Sequence, residues 1–78
     1  YKLMDSNVEA LEFTVTNDFK GCDVSLKDLP IEDNILVAGI IRGRKAIIPS
    51  GNDAILPGDN VIVISGQKRL NDLSDILK

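Results

Sequence analysis

The chain has 78 residues, of which 44% are apolar and 27% charged, and its formal net charge is −3. This length suits one small domain, and the apolar fraction is typical of a folded chain rather than a disordered one. Because there is no histidine and only one cysteine, Cys22, the sequence excludes an internal disulfide, a His/Cys zinc site and Ser-His-Asp or Cys-His catalysis within one chain.

Charge and size also constrain the partners that the sequence predicts. The acidic balance argues against nucleic-acid binding, and no apolar run approaches the roughly 20 residues that insertion into a membrane needs. A domain this small draws only about 3–5 kcal/mol of net stability from its own core. Since no disulfide or His/Cys metal site can add to that, we expect the chain to associate with a partner or to belong to a longer polypeptide.

The first predicted strand spans residues 10–16, where Leu11, Phe13 and Val15 alternate with polar side chains. Alternation of this kind is typical of a strand with one buried and one wet face. Residues 1–7 show no periodicity and are interpreted as a lead-in from a preceding domain. Residues 23–30 then predict one or two helical turns, which end before the proline at position 30.

Two strands are predicted on either side of a turn. Residues 35–42 are apolar on both faces, which predicts a strand that is covered on both sides. Gly43 makes the turn, and residues 44–49 return as a short antiparallel strand. Pro49 cannot donate a backbone hydrogen bond, so it marks the end or the edge of that strand.

The last third of the chain combines a turn, a strand and a helix. The Pro57-Gly58 pair predicts a tight turn with a positive φ at the glycine. Residues 60–66 are again apolar almost throughout and predict a central strand. Leucines recur with helical spacing in residues 68–77, which predicts an amphipathic helix of about ten residues that covers one face of the sheet.

The element order β-α-β-β-β-α predicts an α+β fold of two layers. We expect a single small mixed or antiparallel sheet with its helices on one face. The doubly apolar strands need cover on the other face as well, and a second copy of the domain is the most economical cover. The sequence therefore predicts a domain that dimerises.

Few residues are candidates for catalysis or for binding a cation. Glu32 and Asp33 are adjacent carboxylates, but neighbours in sequence usually diverge, so a solvated connector is the favoured interpretation. Asn52, Asp53 and Asp59 carry oxygen atoms that a cation would accept as ligands. The spacing of an EF-hand is absent, however, and turn formation is the favoured role of these residues.

One cluster of charges is informative, and it consists of Arg42, Arg44 and Lys45. Residues 1–33 contain eight acidic and three basic residues, whereas residues 34–78 contain six basic and four acidic ones. The cluster thus lies on a predicted hairpin of an otherwise acidic chain. It is either a solvated tip that keeps an edge strand from aggregating or a clamp for an anion or phosphate, which the planar guanidinium of arginine suits.

The order and spacing of several short motifs resemble a known family. The matching residues are Gly21, Ser25, Leu26, Leu29, residues 35–42 and 47–49, Gly51, Asp53, residues 56–59, Val61 and Val63. Over residues 8–78 this pattern is similar to the TrkA C-terminal domain, also called RCK-C. The chain lacks the glycine-rich fingerprint of a Rossmann domain. The resemblance therefore implies a lobe that follows such a domain in a longer polypeptide.

The resemblance implies a cytoplasmic regulatory domain of a Trk- or Ktr-type potassium uptake system, without catalytic activity. Some relatives dimerise and bind cyclic di-AMP at the dimer interface, whereas NAD or ATP would bind to a preceding Rossmann domain. The implied partners are a second copy of the domain and a membrane potassium-transporting subunit, reached through the rest of the parent chain. No cofactor or metal is expected in the domain itself. The implied ligand-binding residues at the dimer interface are Ile40, Ile41, Arg42, Arg44, Lys45 and Pro49.

Three other functions stay open on the sequence alone. The chain is alternatively a purely structural dimerisation module, which transmits motion caused by ligands bound elsewhere. It is alternatively the regulatory lobe of another cation or anion transporter or of an antiporter. An enzyme acting on an anionic substrate, with Asp53 or Asp59 as base, is disfavoured because no nucleophile or acid–base pair has a suitable spacing.

Overall fold

The computed structural model describes residues 8–66 and 69–78, which hold four strands and two short 3-10 turns. The strands are β1 (Val8–Thr14), β2 (Ile35–Arg42), β3 (Lys45–Ile47) and β4 (Asn60–Gly66), and the turns span Leu26–Asp28 and Leu73–Ile76. The strands form one antiparallel sheet in the order β1-β4-β2-β3. None of the helical segments in these ranges is long and apolar enough to cross a membrane.

Strand β4 lies at the centre of the sheet, as its apolar sequence predicted. It pairs with β1 along one edge and with β2 along the other. Its alternate residues Val61, Val63 and Ser65 have 0% of their surface exposed. The central strand over residues 60–66 is therefore confirmed, and the sheet is antiparallel rather than mixed.

A β-bulge in β2 decides which of its side chains enter the core. The pairing of β2 with β4 shifts between Val37 and Gly39, so that Ala38 is an extra residue. Residues three apart on a regular strand face opposite sides. Because of the bulge, however, Val37 and Ile40 both face the core, with 8% and 1% of their surfaces exposed.

The core lies between the sheet and irregular segments that pack on one of its faces. The buried apolar residues that form it are Val15, Phe19, Val37, Ile40, Ile55, Val61, Val63, Leu70, Leu73 and Ile76. Backbone hydrogen bonds hold the C-terminal tail against the connector before β2. The amide of Glu32 donates to the carbonyl of Ile76 at 2.7 Å, and the amide of Lys78 donates to the carbonyl of Pro30 at 2.7 Å. The tail thus packs against this connector and closes the core there.

The predicted helix over residues 68–77 is wrong, since among residues 69–77 only Leu73–Ile76 forms a 3-10 turn, and residue 68 lies outside the described residues. Asp72 precedes this turn in an extended conformation, with φ −149° and ψ 156°. Its side chain accepts a hydrogen bond from the amide of Leu73 at 2.9 Å, and the Asp75 carboxylate accepts one from the amide of Asp72 at 3.1 Å. These local bonds compete with helical ones and stop a helix from passing through residues 70–72. Leu73 is nevertheless buried, as the leucine spacing predicted.

The other predicted helix is also a single 3-10 turn, Leu26–Asp28. Amides before and at the start of this turn pair with the loop before β4 instead of starting a helix. Asp23 donates to the carbonyl of Ile55 at 2.9 Å, and Leu26 donates to the carbonyl of Asp53 at 2.9 Å. The predicted layer of helices is therefore replaced by irregular segments that are cross-linked through their backbones.

The side of the sheet opposite the core is called the outer face here. It consists of the side chains that alternate with the core residues, namely Ala10, Glu12, Leu36, Ile62 and Ile64. Leu36 exposes 60% of its surface, and Ile62 and Ile64 are half-buried. A shallow depression of about 370 Å³ lies over Ala10 and Ile62. The apolar character of β2 and β4 on both faces is thus expressed as a core on one side and an apolar surface on the other.

Candidate functional site

The β2–β3 hairpin carries the predicted basic cluster. Gly43 closes the hairpin with a φ of 62°, a left-handed conformation that other residues adopt at a cost of about 1–2 kcal/mol. Across this turn Arg42 pairs with Lys45. Arg44 and Lys45 are exposed, whereas Arg42 is half-buried. The hairpin therefore presents two basic side chains to solvent and holds the third against the protein.

The guanidinium of Arg42 forms a fork with the carboxylate of Asp59. Its Nε donates to Oδ1 at 2.9 Å and its Nη2 donates to Oδ2 at 2.8 Å. Nη2 also donates to the carbonyl of Ala54 at 2.9 Å. The side chain of Asp59 is 2% exposed and that of Arg42 is 40% exposed, so the pair joins a buried anion to a cation at the surface. Paired hydrogen bonds of this kind between charged groups are stronger than neutral ones.

The pairing with Arg42 favours the ionised form of Asp59. The hydrogen bond from Arg42 lowers the pKa of the carboxyl below its ordinary value, although burial acts in the opposite direction. The amide of Leu56 donates to Oδ2 at 2.9 Å and lowers the pKa of Asp59 further. The turn at Gly58, whose φ is 91°, brings this amide and the carboxylate together, as the Pro57-Gly58 sequence predicted.

The two isoleucines of the predicted ligand site lie on different sides of β2. Ile40 is 1% exposed and belongs to the core, so its side chain cannot line a surface site in this conformation. Ile41 is half-buried and pairs with Ala46 of β3. Neighbouring residues of a strand face opposite sides, and the bulge at Ala38 decides that Ile40 rather than Ile41 faces the core. Only Ile41 is at the surface where a ligand could contact it.

An open groove of about 440 Å³ lies between the start of β2 and the loop after β3. Of the six predicted ligand residues, Pro49 lines this groove, together with Leu36 and Lys27. Leu36 exposes 60% of its surface, and Ile48, beside Pro49, exposes 85%. Large apolar side chains exposed next to a groove are typical of a binding surface.

Sequence reasoning missed Leu36 and Ile48 for two reasons. It treated β2 as covered on both faces, and it placed Ile48 inside a paired strand. The strand β3 ends at Ile47, so Ile48 lies beyond the ladder. The signal that could have found Ile48 is Pro49, since a proline cannot donate to the ladder and marks a strand end, so that pairing stops near it.

The carboxylates that were considered as cation ligands have other partners. Asp59 is paired with Arg42, and Oδ2 of Asp53 accepts a hydrogen bond from the amide of Ser50 at 2.8 Å, which closes the loop after β3. Among residues 8–66 and 69–78, no three histidine, cysteine or acidic side chains form a cluster suited to a metal ion. In these ranges, turn formation and ion pairing account for the roles of Asp53 and Asp59.

Comparisons with known proteins identify the family. A family model described as the TrkA-C domain matches residues 10–78. The Trk system potassium uptake protein TrkA homolog 2 of Methanosarcina mazei is 29% identical over 69 residues, which cover 88% of this chain and 15% of that protein. TrkA homolog 1 of the same organism is 26% identical over 72 residues, or 92% of this chain and 18% of that protein. The chain thus spans less than a fifth of the length of these curated relatives.

A solved structure supports the same conclusion at the level of the fold. It is described as "Structure of RCK domain with cda" and superposes with a TM-score of 0.66 at 23% identity, covering 88% of this chain and 97% of that one. An identity this low shows a shared fold only. The match of the family model, however, extends over most of the residues, including the hairpin, the groove and the turn that holds Asp59. The chain belongs to the TrkA-C domain family.

Proposed function

We propose that this chain is a non-catalytic regulatory domain of a potassium uptake system, which works as a homodimer in the cytoplasm and senses an anionic ligand. The observation that carries the proposal is the TrkA-C match over residues 10–78, together with relatives that are named as Trk potassium uptake proteins. The domain would reach its membrane partner, a potassium-transporting subunit, through the rest of a longer polypeptide. It would neither insert into the membrane nor bind nucleic acid.

The outer face supports the proposed dimer. It places Leu36, Ile62 and Ile64 side by side on neighbouring strands, and water is in contact with more than half of the Leu36 surface. Burying apolar surface contributes about 25 cal/mol per Å². A second copy would present the same face, and a two-fold arrangement would let each copy cover the other. Dimerisation also adds the stability that a core of this size lacks on its own.

The hairpin and the groove support the proposed ligand class. The groove combines apolar side chains, Leu36 and Pro49, with the exposed cation Lys27. Arg44 and Lys45 are exposed cations at the opposite end of β2. Apolar surface suits a ring system and basic side chains suit phosphate, so a nucleotide-like anion fits both. The RCK domain of similar fold is described with cda. We propose a ligand of the nucleotide class, with cyclic di-AMP as the first compound to test.

A second candidate function is a structural dimerisation module without a ligand. The fork between Arg42 and Asp59 favours it, because the guanidinium that was predicted to clamp a phosphate already has an anionic partner at 2.8 Å. In that case the outer face would join two copies, and ligands bound elsewhere in the parent protein would drive the motion. The regulatory lobe of another ion transporter or antiporter would share these features.

Calorimetry on the 78-residue chain separates the ligand-sensing function from the structural one. Cyclic di-AMP, ATP, NAD and linear AMP are titrated in turn, and sedimentation reports the oligomeric state. We expect binding of at least one cyclic or multiply charged nucleotide by the dimer. The double substitution of Arg44 and Lys45 by alanine should weaken this binding while the dimer persists. The matched control replaces Lys20 and Arg69, one lysine and one arginine that are exposed elsewhere.

If none of the compounds gives a heat of binding, the ligand-sensing function is contradicted and the structural dimerisation module is the function that remains. A strictly monomeric species at high protein concentration contradicts the dimer. The transport role is tested separately, by rubidium uptake in cells that encode the chain and carry Ile62→Glu in its gene. The substitution places a charge on the outer face, where the two copies are proposed to meet. If the regulation of rubidium uptake is unchanged, the dimer has no role in transport.

A further inference from the structure

Asp59 is the buried member of the ion pair with Arg42. Its carboxylate is 2% exposed and accepts hydrogen bonds from Arg42 and from the amide of Leu56. The backbone of Asp59 is fixed as well, because its carbonyl accepts from the amide of Val15 at 2.8 Å and its amide donates to the carbonyl of Leu56 at 3.1 Å. Hydrogen bonds to both its side chain and its backbone therefore hold the Asp59 carboxylate in one position.

This rigid carboxylate fixes the plane of the Arg42 guanidinium. Three hydrogen bonds, two to Asp59 and one to the carbonyl of Ala54, use Nε and Nη2. The third nitrogen, Nη1, takes no part in the fork. Because 40% of the Arg42 side chain is exposed, part of it meets solvent at the end of β2, next to the hairpin turn. A charged group that is held in one orientation loses less entropy when it binds a ligand.

An anion cannot take Arg42 away from Asp59 at low cost. Removing the partner of a buried charge leaves that charge without compensation, which is strongly unfavourable. A ligand at the hairpin would therefore have to approach Arg42 where it is held, and meet the part of the guanidinium outside the fork. Arg44 and Lys45, which are exposed, would add long-range attraction without a fixed direction.

We infer that Asp59 is a positioning residue for anion binding: it presents Arg42 to a phosphate group at the β2–β3 hairpin while staying bonded to it. This inference rests on the proposed ligand-sensing function and adds a residue to it. It also predicts the sign of a charge effect. Removing the negative charge of Asp59 raises the local positive charge, which by electrostatics alone would strengthen anion binding. If positioning dominates, the same change weakens binding.

The test uses the 78-residue chain with inorganic pyrophosphate as the probe, because the natural ligand is unidentified. Binding is followed by NMR shifts of the backbone amides and of the Arg42 Nε–H group. In the unsubstituted chain we expect one sharp, slowly exchanging Nε–H signal and saturable shifts at the hairpin. In Asp59→Asn we expect that signal to broaden, and pyrophosphate affinity to fall roughly tenfold, which corresponds to about 1.4 kcal/mol. Asp23→Asn, an exposed carboxylate with the same charge change, should leave both unchanged.

A second variant keeps the test decisive if Asp59→Asn does not fold. Arg42→Lys retains the positive charge but cannot form the fork, so it should weaken pyrophosphate binding to a similar extent. Equal or tighter binding by either folded variant overturns the inference, as does an averaged Nε–H signal in the unsubstituted chain. If the unsubstituted chain fails to bind pyrophosphate at all, the phosphate contact at Arg42 and the positioning role of Asp59 both fail, whereas the ligand-sensing function is decided separately by the nucleotide titrations. Binding that persists unchanged in the variants overturns the positioning role alone.

Discussion

The ion pair between Arg42 and Asp59 makes a sharp prediction about stability, because its two members differ in burial. Arg42→Ala leaves the carboxylate of Asp59 buried at 2% exposure with its charge unpaired, whereas Asp59→Ala leaves a guanidinium side chain that is 40% exposed and can be hydrated. Breaking a buried ion pair costs about 3–5 kcal/mol when the remaining charge is uncompensated. Loss of hydrogen bonds to a charged group costs about 1.5–3 kcal/mol.

We therefore expect Arg42→Ala to lower the free energy of unfolding by about 3 kcal/mol, and Asp59→Ala to lower it by about 2 kcal/mol. The first value lies at the low end of its range because the amide of Leu56 still bonds the carboxylate. Adding Asp59→Ala to Arg42→Ala removes the unpaired charge. The double variant should consequently be more stable than Arg42→Ala alone, an effect that independent sites do not show.

The pH dependence of the same variants has a sign that follows from the pKa of Asp59. In the unsubstituted chain this pKa is lowered from 3.8, mainly by the hydrogen bond from Arg42, so the stabilisation is present above that pH and is lost as pH falls below it. In the unsubstituted chain burial acts on the pKa of Asp59 more strongly than the Leu56 hydrogen bond does, so we expect this pKa to be raised once Arg42 is removed. The destabilisation by Arg42→Ala should therefore shrink as pH falls from 7 toward 4.

Urea denaturation followed by far-ultraviolet circular dichroism measures these differences. All variants are compared at one protein concentration, since a dimer makes stability depend on concentration. At each pH, the free energy of unfolding of the unsubstituted chain is subtracted from that of the variant. This subtraction cancels the effect of the other carboxylates, which titrate in both proteins. Two results would refute the reasoning: a larger loss for Asp59→Ala than for Arg42→Ala, or a destabilisation by Arg42→Ala that grows as pH falls.

Three further predictions concern single positions away from this pair. Gly58→Ala should lower the free energy of unfolding, measured by urea denaturation, by about 1–2 kcal/mol, because Gly58 has a φ of 91° even though an added Cβ would meet no atom within 4 Å. Gly66→Ala is the control, since Gly66 has no positive φ. Equal losses of stability in the two variants would argue against backbone strain. Asp72→Ala should lower the free energy of unfolding by about 1 kcal/mol, because it removes the capping box. Ser74→Ala, a substitution at a nearby exposed residue, should lower it clearly less. Cys22 should react with Ellman's reagent at pH 7.4 more slowly than in the urea-unfolded chain, because burial raises the pKa of its thiol; an equal rate in both states would contradict this.

The strands could be predicted from the sequence because their apolar residues are contiguous and their ends carry turn residues. β2 spans Ile35–Arg42 and β4 spans Asn60–Gly66, as predicted, and β1 begins and ends two residues earlier than predicted. The prediction of a helix in the tail was wrong for a local reason. It rested on the leucine spacing alone and left out the carboxylates of Asp72 and Asp75, which accept hydrogen bonds from nearby amides.

The candidate site could be predicted only in part, because its decisive contacts join residues far apart in the chain. Arg42 and Asp59 are 17 positions apart, and nothing in either local sequence says that they meet. The direction of Ile40 depends on the bulge at Ala38, which a count of alternating residues does not detect. The exposed cations Arg44 and Lys45 were predicted correctly as a surface feature of a hairpin, because their position beside Gly43 is a local property. Their role with a ligand remains a prediction.

The position of β4 in the sheet also bears on how the domain forms during synthesis. Both β1 and β2 pair with β4, yet β4 is the last of the four strands to be made, and Val8 must find Gly66 across most of the chain. Of the strand pairs within residues 8–66, the β2–β3 hairpin alone can form before β4 leaves the ribosome. Such distant pairing slows folding and leaves apolar strands uncovered for longer. The nascent domain therefore depends on its final strand, and we expect chaperones to meet the earlier strands in an unpaired state.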